Sequence, residues 1–363
     1  MNSTAPDITI IVPLLNEACE LPELLSALAG QQGVALEVIL CDGGSTDGSQ
    51  QIAAMLAAEC RFPVKLIRTE RGRGKQMNAG AGVATADLLL FLHADSRFEE
   101  SHALLKAGDY YRSTQASGTE SFAARFGLHF RRSEPTPSLA YFYYEAKARL
   151  PRPDCIRGDQ GFLLNRKAFR EAGGFDETLP FLEDLRLVAA TAPQLKWRLL
   201  PATVSSSARR FEQEGLLERQ ILNAIIVNNT LAGWSIFFET LPDLYRSHCR
   251  STGGKMLLFP ILDGISRLLE RASAEWRRSF WRSTGRHVAA NAWQLFYWLD
   301  TRHAFRSGNK PEEVQPCWLD FYQRRLERFF QSRYAAILAQ MAVRLWLRWM
   351  LFIPGIRGTR RTA

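Results

Sequence analysis

The first hundred residues alternate short apolar runs with polar segments. "ITIIVP", "LEVILCD", "VKLI" and "LLLFL" are β-branched or leucine-rich and lack clean alternation, the pattern of strands buried on both faces. Between them, about 20–30, 49–59 and 75–84 carry apolar residues at helical spacing. Strand, helix, strand repeated three times predicts a mainly parallel, doubly wound α/β sheet. Ligands of such sheets sit in the crevice at the C-terminal strand ends. The segments to read for chemistry are therefore "PLLNE", "DGGSTDGS", "RTERGRGK" and "HADS", which follow the four runs.

The first of these loops lacks the Gly-x-Gly-x-x-Gly of a dinucleotide site, and "GRGKQ" has neither the glycine spacing nor the Ser/Thr of a Walker loop. Asp42 instead ends the second strand, and Gly43 and Gly44 let the chain turn sharply behind it. Ser45, Thr46 and Asp47 supply caps for the next helix. The fourth run ends on His93, Ala94 and Asp95, an acid that turns the chain, caps a helix or holds a metal. Further on, "RGDQGFLLNRKAFREAGGFDE" reads as a strand and a short helix closed by Gly173 and Gly174, with Phe175 in the core. "PFLEDLRLVAA" reads as a Pro-led turn opening a helix, where acids such as Glu183 and Asp184 suit the helix dipole. The aromatic and basic stretch 108–157 builds a ligand-facing wall or core.

Charge divides the chain. From Leu244 to the end there are 21 Lys and Arg against 8 Asp and Glu, with seven of the nine Trp, whereas residues 1–243 carry 25 against 29. The expected organisation is an α/β domain over 1–243, the one carrying the polar strand ends, and a basic, Trp-rich helical extension over 244–363. Six widely spaced cysteines form no Cys-x-x-Cys pair, which points to reduced thiols in a cytoplasm. The N-terminal segment has no basic start and is broken by Pro13, Asn16 and Glu17, unlike a signal peptide.

"IVPLLNEACELPELL", "EVILCDGGSTDGS", "RGKQMNAG", "LLFLHADS", the Gly-Asp-Gln segment and "PFLEDLRL" resemble, in order and spacing, glycosyltransferase family 2 over roughly residues 7–235. The likeness is to a compact bacterial subgroup with His-Ala-Asp, Gly-Asp-Gln and Glu-Asp motifs. It implies a GT-A fold, a nucleotide-diphosphate-sugar donor with a UDP-sugar favoured, Mg²⁺ or Mn²⁺, and inversion at the anomeric carbon. Carried over by position, Asp42 bonds the nucleotide base, with Pro13, Asn16, Glu17 and Gly43 shaping its pocket. Arg71, Arg73 and Lys75 face base or diphosphate. Asp95 is the metal ligand, and His93 stands where many relatives have their first acid. Asp184 is the catalytic base and Glu183 assists or caps. Gly158, Asp159 and Gln160 border the acceptor and donor sugar. "ARRFEQEG" resembles an Arg-Trp step that closes over the diphosphate, with Phe211 in place of Trp, so Arg209 or Arg210 is expected to reach a phosphate. The chemistry asks for the same types: a hard cation to neutralise the leaving diphosphate and a carboxylate to take the acceptor's proton.

In the basic third no uninterrupted run reaches a membrane span. "AAILAQMAVRLWLRWMLFIPG" is broken by Gln340, Arg344 and Arg348, which form one stripe on a helix beside Trp346, Trp349, Met350, Leu351 and Phe352. Such a helix either lies in an anionic membrane interface, helped by Arg357, Arg360 and Arg361, or packs on the catalytic domain. No nucleic-acid module is present. The expected function is sugar transfer to a lipid-linked or other envelope hydroxyl at the cytoplasmic face of the inner membrane. The alternatives are a nucleotidyltransferase making a sugar nucleotide and a catalytically degenerate membrane-bound scaffold.

Overall fold

A computed structural model describes residues 5–117, 121–251 and 256–352. The chain forms two compact units, Met1–Arg131 with Ala140–Ser207, and Arg132–Leu139 with Ala208–Ala363.

The first unit is a seven-stranded sheet in the order β3-β2-β1-β4-β6-β5-β7. Strands β1 (Ile8–Leu14), β2 (Leu36–Asp42), β3 (Val64–Arg68) and β4 (Leu88–Phe91) are mutually parallel. They are connected by helices α1 (Leu21–Ala29), α2 (Ser49–Glu59) and α3 (Arg73–Val83). After α4 (Ala103–Ala116), β5 (Phe122–Arg131) and β7 (Lys196–Ser207) pair in parallel, and β6 (Phe162–Asn165) runs antiparallel to both β4 and β5. The remaining helices are α5 (Leu139–Lys147), α6 (Arg166–Glu171) and α7 (Glu183–Thr191).

Successive strand residues point to opposite faces, so continuous apolar runs feed two cores. Ile8, Ile10, Val12 and Leu14 join one cluster with α1 and α4, while Ile11, Ile39 and Cys41 join another with Met77, Phe169, Phe175 and Leu187. The strand "VKLI" differs from the expectation of burial on both faces. As β3 it forms the sheet edge, half-exposed, with Lys65 and Arg68 outward, and charge on an edge strand discourages pairing with other chains. The stretch 108–157 is largely framework: Phe142 and Tyr143 are buried.

The second unit is helical: α8 (Arg209–Glu214), α9 (Leu216–Leu231), α10 (Ser235–Ser251), α11 (Leu258–Arg271), α12 (Ala274–Ala290), α13 (Trp293–Arg306), α14 (Cys317–Phe321), α15 (Glu327–Phe330) and α16 (Arg333–Phe352). Its tryptophans divide between two roles. Trp234 and Trp276 pack with Phe280, and Trp293 is fully buried; Trp318 and Trp349 are exposed.

By length and composition alone, helix α16 is long and apolar enough to cross a membrane, the arginines that interrupt its run notwithstanding. One face of α16 lies against α12, where the Cβ of Gln340 approaches Gly285 and the Arg344 guanidinium sits 5.2 Å from the Trp281 ring. Two of the three interrupting polar side chains are thus engaged by protein. Met350 is buried and Trp346 half-buried, while Ile337, Met341, Leu345, Trp349 and Phe352 form an exposed apolar face. Arg357, Arg360 and Arg361 lie outside the described residues.

Candidate functional site

The parallel strands β1, β2 and β4 deliver their loops to one edge of the sheet. The loops after β1 and β2 are tied together by hydrogen bonds. The backbone N–H groups of Asn16, Glu17 and Ala18 donate to Ser45 Oγ (2.9 Å), Ser49 Oγ (2.9 Å) and Asp47 Oδ2 (3.0 Å), and Thr46 N–H donates back to Asn16 Oδ1 (2.8 Å). Asn16 takes a left-handed conformation, φ 59°, which Asn tolerates better than most residues. Below them Asp42 is buried, and its carboxylate accepts from the N–H groups of Gly44 and Ser45 and from Gln50 Nε2 at 2.7 Å. Gly44 has φ 93°, the turn that brings its N–H onto Asp42.

Gln76 was not singled out in the sequence, yet it anchors this pocket. Its Nε2 donates at 2.7 Å to both Leu14 O and Cys41 O, joining the ends of β1 and β2 beneath Pro13 and Gly43. Of the three expected cations, Arg71 is exposed, Lys75 pairs with Glu70 and Arg73 turns to Glu183.

The second half of the site is acidic. Asp95 follows β4 in a loop clamped by Arg97, which donates to Ala94 O and Ser96 O at 2.8 Å and pairs with Glu20 at 2.9 Å. Arg131 Nη2 donates to Asp95 O at 2.7 Å, and Ser206 Oγ approaches Asp95 Oδ2 at 3.4 Å. Asp184 and Glu183 open α7. Asp184 accepts the Gly158 N–H on Oδ2 at 2.9 Å and the Leu185 N–H on Oδ1 at 2.8 Å. Gly158 is a tight spot: a Cβ there would lie 3.1 Å from His93 Nε2, which would have to give by a few tenths of an ångström, and 3.5 Å from Asp184 Cβ. His93 and Asp184 therefore flank one glycine, on a narrow recess floored by Met77, Phe91, Phe162 and Phe175.

Asp159, in the turn Gly158–Gln160, has a buried Oδ1 with no hydrogen-bond partner. Burial, then the charges of Asp184 and Asp95, push its carboxyl up to about 7, against the opposing pull of Arg157. Partial burial works against the charge of Arg73, whose side chain is still half-exposed, and Glu183, Asp184 and Asp95 hold its guanidinium above the ordinary range. Gln160 is fully buried, its Nε2 donating to Ala148 O at 2.6 Å and its Oε1 accepting the Arg157 N–H at 2.9 Å, so it builds the turn that presents Gly158 and Asp159. Arg209 and Arg210 are exposed at the start of α8 in the second unit.

The family model described as "Glycosyl transferase family 2" matches residues 9–173. This segment includes Asp42, Asp95 and Asp159 and ends before Glu183 and Asp184. A "PGL/p-HBAD biosynthesis glycosyltransferase" of Mycobacterium bovis is 37% identical over 107 residues, 29% of this chain and 42% of its own length. A "4,4'-diaponeurosporenoate glycosyltransferase" of Staphylococcus haemolyticus is 31% identical over 121 residues, 32% of each chain. The chain thus spans about two fifths of the mycobacterial relative. Among solved structures, a mannosyltransferase of Pyrobaculum calidifontis in complex with GDP-Man and Mn2+ has a TM-score of 0.47 at 18% identity, covering 95% of this chain and 88% of that one. S. aureus TarS in complex with UDP-GlcNAc has a TM-score of 0.47 at 16% identity, covering 83% and 92%. Both scores lie below 0.5, too low to carry a donor or metal across.

Proposed function

We propose that the chain is an inverting glycosyltransferase that moves a sugar from a nucleotide-diphosphate donor, a UDP-sugar favoured, to an acceptor hydroxyl. The observation that carries this is the placement of Asp184, fixed by two backbone N–H groups on the lip of a recess, with Asp95 at the end of β4 acting on the same charged neighbours. Asp42, under the joined loops of Asn16 and Ser45, takes the nucleotide base, with Pro13, Glu17 and Gly43 around it and Arg71 at the rim. The acceptor oxygen attacks the anomeric carbon from the face opposite the diphosphate. Its proton passes to the Asp184 carboxylate, the new glycosidic bond forms, and the anomeric carbon–oxygen bond breaks with its electron pair leaving on the diphosphate. A single displacement inverts the centre.

The fit of a divalent cation rests on the acids gathered at the site. Glu183, Asp184 and Asp95 act on Arg73, Asp184 and Asp95 act on Asp159, with Arg157 and Arg131 as further cations beside them, and Asp159 keeps an unpartnered buried oxygen. Among the described residues no group of three or more His, Cys, Asp or Glu is placed to hold a metal. Asp95 would hold a hard cation there, one carboxylate being enough where substrate phosphate oxygens and water can complete the shell. Bound there, Mg²⁺ or Mn²⁺ neutralises charge on the departing diphosphate.

The exposed apolar face of α16 supports an acceptor at a membrane surface, lipid-linked or otherwise part of the envelope. Trp349 and Phe352 suit the headgroup region, and Arg348 beside them suits anionic lipid. The deciding experiment is Asp184→Asn. Transfer is expected to fall about 10²–10⁴-fold while UDP with Mn²⁺ still binds; a folded variant that keeps full transfer removes Asp184 from the mechanism.

A further inference from the structure

The first turn of α7 carries Asp184, and the residue before it is strained. Leu182 has φ 64°, one of two non-glycine residues with positive φ among the described residues, and a leucine there opposes ordinary backbone preference. Such conformations persist only where surrounding structure over-determines them. The surroundings that do so come from α3, a hundred residues earlier in the chain. Asn78 donates from Nδ2 to Phe175 O at 2.9 Å and to Glu177 Oε1 at 2.8 Å, and accepts the Phe175 N–H on Oδ1 at 2.9 Å. Gly74 lies so close to the same segment that a Cβ would meet Asp176 O at 3.0 Å. At the far end of the segment, Arg73 Nη1 bonds Glu183 Oε1 at 2.9 Å, and Glu183 is 2% exposed. One helix therefore grips the connection 175–183 at both ends, with the strained residue just inside the second grip.

We propose that Arg73 is a positioning residue: through Glu183 it holds Leu182 in its left-handed conformation and so aims Asp184 at Gly158. This rests on the functional reading above and revises the expectation that Arg73 contacts the nucleotide. The ion pair compensates a local strain. Its loss lets Leu182 relax and carries the first turn of α7, with its carboxylate, away from the recess. A glycine at 182 adopts the same φ without penalty and needs the ion pair less.

The test compares wild type, Arg73→Ala, Leu182→Gly and the double variant in the full chain. Amide hydrogen exchange of residues 182–186 reads the turn, the Kd of UDP with Mn²⁺ reads the nucleotide pocket, and UDP release from UDP-glucose reads turnover. Arg73→Ala is expected to raise exchange at 182–186 about tenfold, the order of one released backbone strain. It should leave the UDP Kd within about twofold, and adding Leu182→Gly should recover at least half of the exchange protection. A large loss of UDP affinity without a change in exchange, or no recovery by Leu182→Gly, overturns the proposal and returns Arg73 to the nucleotide. If wild type binds UDP but releases none from UDP-glucose, the functional reading fails for that donor, while the exchange comparison still decides the role of Arg73.

Discussion

Asp159→Asn gives the sharpest prediction about the acidic half of the site. The Asp159 carboxyl ordinarily titrates near 3.8 and is pushed up to about 7 in the fold, by burial first and then by Asp184 and Asp95. Below pH 3.8 the group is neutral in both folded and unfolded chains and costs nothing. As pH rises towards 7 the unfolded chain releases the proton and the folded chain retains it, so stability falls; above 7 the whole cost is present. At 1.36 kcal/mol per pH unit the difference sets a ceiling of ~4 kcal/mol. Asp159 is half-buried, so water screens part of the repulsion, and ~2 kcal/mol is the expected size. Asparagine keeps the shape and has no charge to lose. In urea unfolding with chelator present, the variant should match wild type within ~0.5 kcal/mol near pH 4 and exceed it by ~2 kcal/mol at pH 8. Added Mn²⁺ should narrow the gap, since a cation at Asp95 offsets the same charge. A gain independent of pH, or a loss at pH 8, would refute the assignment of repulsion to this cluster.

Other consequences are as direct. Glu37, buried between β1 and β3, accepts from Lys65, Thr9 and Thr85; burial opposes its charge, but these donors bring its carboxyl down from near 4.5 to about 2. That stability is present above pH 4.5 and lost as pH falls towards 2, so Glu37→Gln should cost up to ~3 kcal/mol at pH 7 and little near pH 2 in thermal unfolding. Gly158→Ala should shift the His93 ring and lower transfer about tenfold or more, with urea stability nearly unchanged, because misplacement at reacting groups is costly. Arg97→Ala removes the buried ion pair with Glu20 and the two carbonyl contacts that clamp the Asp95 loop, and should cost ~3 kcal/mol, read as a lowered urea midpoint. Full-length protein should float with anionic vesicles, and Leu345→Glu with Trp349→Glu should abolish flotation without changing circular dichroism.

The strand runs and their polar ends were legible in the sequence because burial and periodicity leave local traces: Asp42, Asp95 and the Glu183–Asp184 pair all stand at a strand end or a helix start. What lay beyond reach was pairing over long separations. Nothing in "RGKQMNAG" says that Arg73 meets Glu183 or that Gln76 joins β1 to β2, since a side-chain bond across the fold has no period and no spacing. The direction of β6 was equally hidden, because a four-residue apolar strand reads the same in either orientation. His93 looked like a missing acid; its position opposite Gly158 gives it a neighbour, Asp184, that only the folded chain supplies.

The reversal of β6 reaches further than pairing. Because that strand starts where β1, β2 and β4 finish, the turn Gly158–Gln160 arrives at their edge of the sheet, and the opposite edge is left with short connections such as Cys60–Pro63. An affinity handle or a fluorescent insert would be best placed in that opposite connection, on the side of the sheet where a change of length leaves every group of the site in register.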